Sequence, residues 1–261
     1  CMNAVVSNDL SAAEHFGEQT FLAALGIAGG MAIAWCLADL SRKLHTLREN
    51  GKNICGDVVS KAIAYAVGVL EVNASMGLIV AAPTAGSSGV IPGVFCSLQE
   101  NFGFTDEEIC KVLFNAAAVG YLITRNATTA GAEGGCQAEV GAASAMAASA
   151  AVELLGGTPA QCLDAASFAI VNILGLVCDP IGGLVENPCQ NRNAMGASNA
   201  LISAELSMAG IRSITPIDET IGVMYAVGRS IPSELRETSL GGMAVAKSAC
   251  EACAACAKKK R

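Results

Sequence analysis

A chain of 261 residues is long enough to bury a substantial core, and no Pro/Ser-rich or charged linker divides it, so one large domain is expected. Alanine is the commonest residue in the hydrophobic fraction of 52% and only 4% of residues are aromatic, a composition that suits closely approaching helices and argues against a sandwich built on bulky side chains. A formal charge of −7 excludes non-specific nucleic-acid binding, which needs a basic surface, and the one basic run, 258–261, reads as a solvated tail.

Helical periodicity dominates and no run of period-two alternation points to a sheet. The predicted fold is all-α, a compact multi-helix domain whose Gly-rich breaks form the functional pocket. Helices are expected near residues 18–48 and 57–76. Residues 19–38 carry no charge, which raises a membrane span, but the stretch is Gly/Ala-rich, Trp35 is its only Trp or Tyr, and no second span follows. A buried core helix is the preferred reading, with no membrane association. Thr105-Asp-Glu-Glu108 has the spacing of a capping box and opens a helix through Ile109, Leu113, Ala116 and Leu122. Gly156-Gly157 and Gly210 terminate helices predicted over 139–155 and 193–209. Thr158-Pro-Ala-Gln161 and Thr215-Pro-Ile-Asp218 each place a hydroxyl at the N-cap and proline at the first helical position. These elements divide into an N-terminal helical segment (1–52), a main domain (53–243) and a Cys-rich basic tail (244–261). His15 and His45, in polar surroundings, read as solvated, and Arg125 and Asn126 as an exposed helix end.

The chain has twelve cysteines, several of them embedded in helical stretches, and its size fits a reducing cytosol better than a small disulfide scaffold. Cys36, Cys55, Cys96, Cys110 and Cys162 read as buried or half-buried packing residues. Three others lie in Gly- or Pro-containing breaks: Cys136 in Gly131-Ala-Glu-Gly-Gly-Cys136, Cys178 in Cys178-Asp-Pro180, and Cys189 in Glu186-Asn-Pro-Cys-Gln-Asn-Arg-Asn193. Their wide spacing means that the fold, rather than a local motif, must gather them. Three thiolates would hold an iron-sulfur cubane one ligand short, with one iron open as a Lewis acid. Glu133 and Asp179 adjoin these cysteines and are candidate bases, with structural hydrogen bonding as the alternative. Pro83-Thr-Ala-Gly-Ser-Ser-Gly89 offers backbone N–H groups and the hydroxyls of Thr84, Ser87 and Ser88 to a carboxylate or phosphate. Arg192 and Asn193 are candidates for orienting a substrate beside the cluster; Arg192 could instead cap a helix or pair with Glu186. Near the C-terminus, Cys250, Cys253 and Cys256 recur every three residues; idle thiols on a helix are the preferred reading, with a cluster of their own as the alternative. Pyridoxal phosphate is rejected as cofactor, because Lys61 and Lys111 lie in helical segments without a phosphate loop beside them.

Six words in order carry a resemblance over residues 53–243: Glu71-Val-Asn-Ala-Ser-Met-Gly77, Ala81-Ala-Pro-Thr-Ala-Gly-Ser-Ser-Gly89, Gly131-Ala-Glu-Gly-Gly-Cys136, Cys178-Asp-Pro180, Asn193-Ala-Met-Gly196 and Leu235-Arg-Glu-Thr-Ser-Leu-Gly-Gly242. They resemble the alpha domain of the iron-sulfur-dependent L-serine dehydratases, or L-serine ammonia-lyases. The resemblance implies a 4Fe-4S cluster on Cys136, Cys178 and Cys189, with Cys250, Cys253 or Cys256 as a removable plug on the open iron. It also implies a cytoplasmic, oligomeric enzyme that converts L-serine to pyruvate and ammonia, with a beta subunit or beta domain as partner. Where such enzymes carry a Ser-Gly-Leu-Thr-Gly-Gly-Asp-like word, this chain has Gly26-Ile-Ala-Gly-Gly-Met31, without the hydroxyl and carboxylate. Two alternatives stay open: an L-cysteine desulfidase of related mechanism, and a non-catalytic iron-sulfur partner or redox-sensing subunit.

Overall fold

The computed structural model describes residues 39–183 and 186–251, and every described element is helical apart from one isolated parallel bridge between Cys178 and Arg236. The all-α expectation agrees with this architecture. Residues 19–38, the segment Gly26 to Met31, Cys36, His15, Cys253 and Cys256 lie outside the described residues. Among the described residues no helix is long and apolar enough to cross a membrane.

Helix α1 (Leu40–Glu49) packs on α2 (Gly56–Ala74), where the Glu71 carboxylate accepts the N–H groups of Leu40 and Ser41 at 2.6 and 3.3 Å. A carboxylate there satisfies orphan donors at the positive end of the helix dipole. Helix α3 (Val90–Phe102) ends at Gly103 with φ 76°, the left-handed terminator that glycine adopts without strain. Helix α4 (Asp106–Asn126) opens on the Thr105/Glu108 capping box, with three acidic residues in its first turn and Arg125 in its last. Helices α5 (Cys136–Leu154), α6 (Pro159–Val171), α7 (Cys189–Met208) and α8 (Ile217–Ser230) follow; Thr158 and Gln161 form the capping box of α6.

Three boundaries differ from the sequence reading. Helix α5 begins at Cys136 and α7 at Cys189, so both cysteines are first helical residues rather than loop residues. Pro188 sits at the N-cap of α7, where a missing N–H costs nothing. In α8 the N-cap is Pro216, whose carbonyl accepts the Thr220 N–H, and the helix starts one residue later than the Thr-Pro spacing predicts. The Thr215 carbonyl is instead engaged by the Ser213 hydroxyl in the preceding turn. Cys55 is also corrected: it is exposed at the N-cap of α2, ahead of the first packed turn, whereas Cys162 is buried and Cys96 and Cys110 are half-buried.

The axis of the fold is α5. Residues 140–152 are all buried, surrounded by α3, α4, α6 and α7. That stretch is Ala, Gly, Ser, Val and Met with no charge, so it has no polar face to give to water, and a helix apolar on all sides is buried on all sides. Its two buried hydroxyls are satisfied, Ser144 donating to the Gly196 carbonyl and Ser149 to Asn115 Oδ1. Bulk comes from the surrounding helices, through Phe95 and Leu98 of α3, Ile109 and Ile123 of α4, and Ile170 of α6. At the α5–α7 crossing a Cβ on Gly196 would meet Val140 Cγ1 at 2.7 Å and Val90 Cγ2 at 3.0 Å, so glycine sets the approach. The N-termini of α5 and α7, both beginning with cysteine, are thereby delivered to one end of the bundle.

Candidate functional site

A short helical turn, Gly131–Gly134, leads into Gly135, which caps α5 with φ 75°. A side chain there would be strained, and its Cβ would lie 2.7 Å from the Leu176 carbonyl. The close approach matters because the segment before Cys178 is stitched to the start of α5. The Gln137 N–H donates to the Leu176 carbonyl at 3.0 Å, its side-chain oxygen accepts the Gly175 N–H at 2.8 Å, and its side-chain nitrogen donates to the Met224 carbonyl of α8 at 2.9 Å. This lays Cys178 against Cys136. From the other side, the Cys178 N–H donates to the Leu235 carbonyl and its carbonyl accepts the Glu237 N–H, so the 235–243 segment straps over it.

The sulfurs of Cys136 and Cys178 and a carboxylate oxygen of Glu139 all lie within 4.8 Å of one another. Glu139 follows Cys136 by three residues on α5, on the same helix face. Cys136, Cys178 and Cys189 are all buried. The Cys136 thiol is held below its usual range by a hydrogen bond from Cys178, against the opposing effect of burial and with help from the Arg192 guanidinium, while Cys178 is pushed up by the same contact. Cys189 is pushed up to about 12, first by burial and then by the negative charges of Cys136 and Glu139. Burial raises the Glu139 carboxyl, opposed by the hydroxyl of Thr84, with the Glu237 charge raising it further. Cys189 feels the charges of Cys136 and Glu139, but its sulfur is not among the ligand atoms that lie within 4.8 Å of one another.

Arg192 braces this group. Its guanidinium donates to Cys136 Sγ at 3.3 Å, to the Val177 carbonyl at 2.9 Å and to Asp179 Oδ1 at 2.6 Å. Its partner is therefore Asp179 and not Glu186. The other Asp179 oxygen accepts the Met243 N–H at 2.7 Å, so both oxygens of that carboxylate are committed to structure. Asn193 is fully buried and also committed: it accepts the Gly89 N–H and donates to the carbonyls of Gly86 and Cys189, tying the start of α7 to the 83–89 loop. In that loop Thr84 donates to Glu139 Oε1 and caps the short turn Ala85–Ser87, Ser88 donates to the Ala85 carbonyl, and Ser87 and Ser88 are buried. Thr84 is the least enclosed of the three hydroxyls. Glu133 is exposed, and its carbonyl accepts a hydrogen bond from Arg236. Cys250 is exposed, with its thiol directed to the Ala244 carbonyl at 3.8 Å. Arg125 is exposed beside Tyr121, and His45 is exposed.

Two acidic residues at the site carried no role in the sequence reading. The three-residue offset of Glu139 from Cys136 on a helix was the available signal. Glu237 lies within the Leu235–Gly242 word, but its direction depends on a left-handed backbone that sequence does not display.

The donor set fits a soft metal group of the iron-sulfur kind: the thiols of Cys136 and Cys178 converge with Glu139, Cys189 adds a third buried thiol, and a guanidinium on one sulfur offsets the negative charge. Gly131 contributes space: a Cβ on it would stand 3.1 Å from Cys178 Sγ and 3.3 Å from Glu139 Oε2.

Residues 23–244 match the family model described as serine dehydratase alpha chain. A probable L-serine dehydratase alpha chain of Bacillus subtilis is 47% identical over 90% of this chain and 75% of its own length. An L-serine dehydratase alpha chain of Peptoniphilus asaccharolyticus is 53% identical over 79% of this chain and 71% of its own. The L-serine dehydratase of Helicobacter pylori is 42% identical over 84% of this chain, yet only 48% of the Helicobacter protein is covered. With the match running through the capped α5 and α7 helices and the strap that closes over Cys178, this chain belongs to the serine dehydratase alpha chain family.

Proposed function

We propose that this chain is the alpha subunit of an L-serine ammonia-lyase in which Cys136, Cys178 and Cys189 hold a 4Fe-4S cluster. The observation that carries the reading is the packing of two cysteine sulfurs and Glu139 within 4.8 Å, with the Thr84 hydroxyl bonded to that same Glu139. Candidate metal ligands and a hydroxyl-bearing loop meet at Glu139, which supports the reading. When bound, a cluster with three cysteine ligands supplies an open iron that acts as a Lewis acid toward the β-hydroxyl of the substrate.

The protein's own groups bind and orient. Thr84 exchanges its Glu139 partner for the carboxylate of L-serine, while Ser87 and Ser88 hold the loop in shape. Asn193 fixes that loop to α7, so the distance from carboxylate site to cysteines is set by a buried amide. Arg192 holds Cys136 and Asp179 in place. Loss of water across the Cα–Cβ bond yields aminoacrylate, which tautomerises and hydrolyses to pyruvate and ammonia. The enzyme works in the reducing cytoplasm with a beta subunit.

The test is anaerobic reconstitution with iron and sulfide of the chain and its beta subunit, followed by Mössbauer spectroscopy with and without L-serine. A change confined to one iron, accompanied by pyruvate release from L-serine in preference to L-cysteine, is the expected result. A full cluster with an unchanged spectrum and no pyruvate overturns the reading.

A further inference from the structure

The strap over Cys178 contains two non-glycine residues in the left-handed region, Glu237 at φ 62° and Ser239 at φ 55°. Such conformations are costly for side chains with a Cβ and persist where surrounding contacts enforce them. Here the enforcing contacts are explicit. The Glu237 N–H donates to the Cys178 carbonyl at 2.7 Å, and the Ser239 hydroxyl donates to the Pro180 carbonyl at 2.7 Å. Gly242, with φ 60°, lies so close to Asp179 that a Cβ would approach its Oδ2 to 2.3 Å. The result is to place the Glu237 carboxylate at the cysteine site: Cys178 Sγ, Glu139 Oε2 and Glu237 Oε2 stand 3.1, 3.3 and 3.5 Å from a single point, the position a Cβ on Gly131 would take.

These neighbours differ in access. Cys178 is buried and Glu139 partly buried, whereas Glu237 is exposed, so it forms the outer lip of the group. The lip is negative, and the cation bonded into the group among the described residues, Arg192, is already engaged by Cys136, Val177 and Asp179. Two carboxylates beside cysteine sulfur repel one another unless a cation intervenes. An amino acid brings one.

Taking L-serine as the substrate from the proposed function, we infer that Glu237 binds its α-ammonium group, so that the strap selects amino acids over hydroxy acids. The carboxylate of the substrate points to the Thr84 loop, its ammonium to Glu237, and its β-hydroxyl to the cysteine site. The left-handed backbone at Glu237 turns its side chain toward Cys178 and Glu139 before substrate arrives.

The test uses the reconstituted holoenzyme with its beta subunit, comparing wild type with Glu237→Gln and Glu237→Gly. The probes are L-serine as substrate and L-glycerate, which carries a hydroxyl in place of the ammonium, as competitive inhibitor. Both variants are expected to raise KM for L-serine roughly 10- to 100-fold, the loss of a charge-assisted hydrogen bond, while the inhibition constant of L-glycerate moves less than about twofold. Glu237→Gly relieves the left-handed strain, so it separates loss of the carboxylate from damage to the strap. Parallel losses for L-serine and L-glycerate, or an unchanged KM, overturn the ammonium assignment alone. Absence of pyruvate from the wild-type holoenzyme overturns the serine reading, and this assignment with it.

Discussion

Glu186, one turn ahead of Cys189, shows burial acting on a single carboxyl. It is 4% exposed, its Oε2 has no hydrogen-bond partner among the described residues, and burial pushes it up to about 7 from an ordinary value near 4.5. Below pH 4.5 folded and unfolded chains both carry the proton. Between about pH 4.5 and 7 the unfolded chain ionises while the folded one keeps its proton, so stability falls with rising pH and levels off above 7. Glu186→Gln removes that slope. Urea unfolding at pH 5 and pH 8 should show the wild type losing up to about 3 kcal/mol more than the variant across the window. At this same scale the sequence was informative about sulfur and uninformative about carboxylates. Cys136, Cys178 and Cys189 stood out because Gly and Pro surround them, whereas Asp179 looked available as a base until the structure engaged both its oxygens with Arg192 and Met243. A partner 13 residues away in sequence leaves no local signature.

Helices α5 and α7 cross through Gly196, and the crossing has no slack. Gly196→Ala puts a methyl 2.7 Å from Val140 Cγ1, and α5 cannot retreat because neighbouring helices enclose it. The substitution should cost about 1 to 3 kcal/mol, read as a lower urea midpoint with an unchanged slope. Element types and several starts were legible in sequence where the signal is local. The capping box at Thr105 and the N-cap threonine with proline behind it at Thr158 are each contained within four residues and appear as read. The starts of α5 and α7 are not legible in the sequence because Gly134-Gly135 and Pro188 read as breaks, although Gly135 and Pro188 serve as N-caps. A terminator and an initiator share residue types, and only the backbone angle distinguishes Gly135 at φ 75° from an ordinary loop glycine.

Across the whole molecule, the site draws on five separated stretches: the 83–89 loop, the start of α5, residues 175–180, the start of α7, and the 235–243 strap. Under the proposed function, a cluster held by Cys136, Cys178 and Cys189 cross-links three of them and favours the folded state. Anaerobic reconstitution should therefore raise the melting temperature by about 5 °C or more, chelation should reverse the gain, and Cys189→Ala should abolish most of it, as followed by calorimetry. The all-α architecture was legible from an alanine-rich, charge-poor composition. The meeting of the five stretches was not, since it is decided by which helices touch α5. The strap has a consequence for biosynthesis. Cys178 gains both backbone partners only after residues 235–237 have been translated, roughly 60 positions downstream. A ribosome-bound chain halted between the two can fold much of its bundle while its cysteine pocket lacks a wall, so under the proposed function any loading of a cluster waits for translation to pass that point.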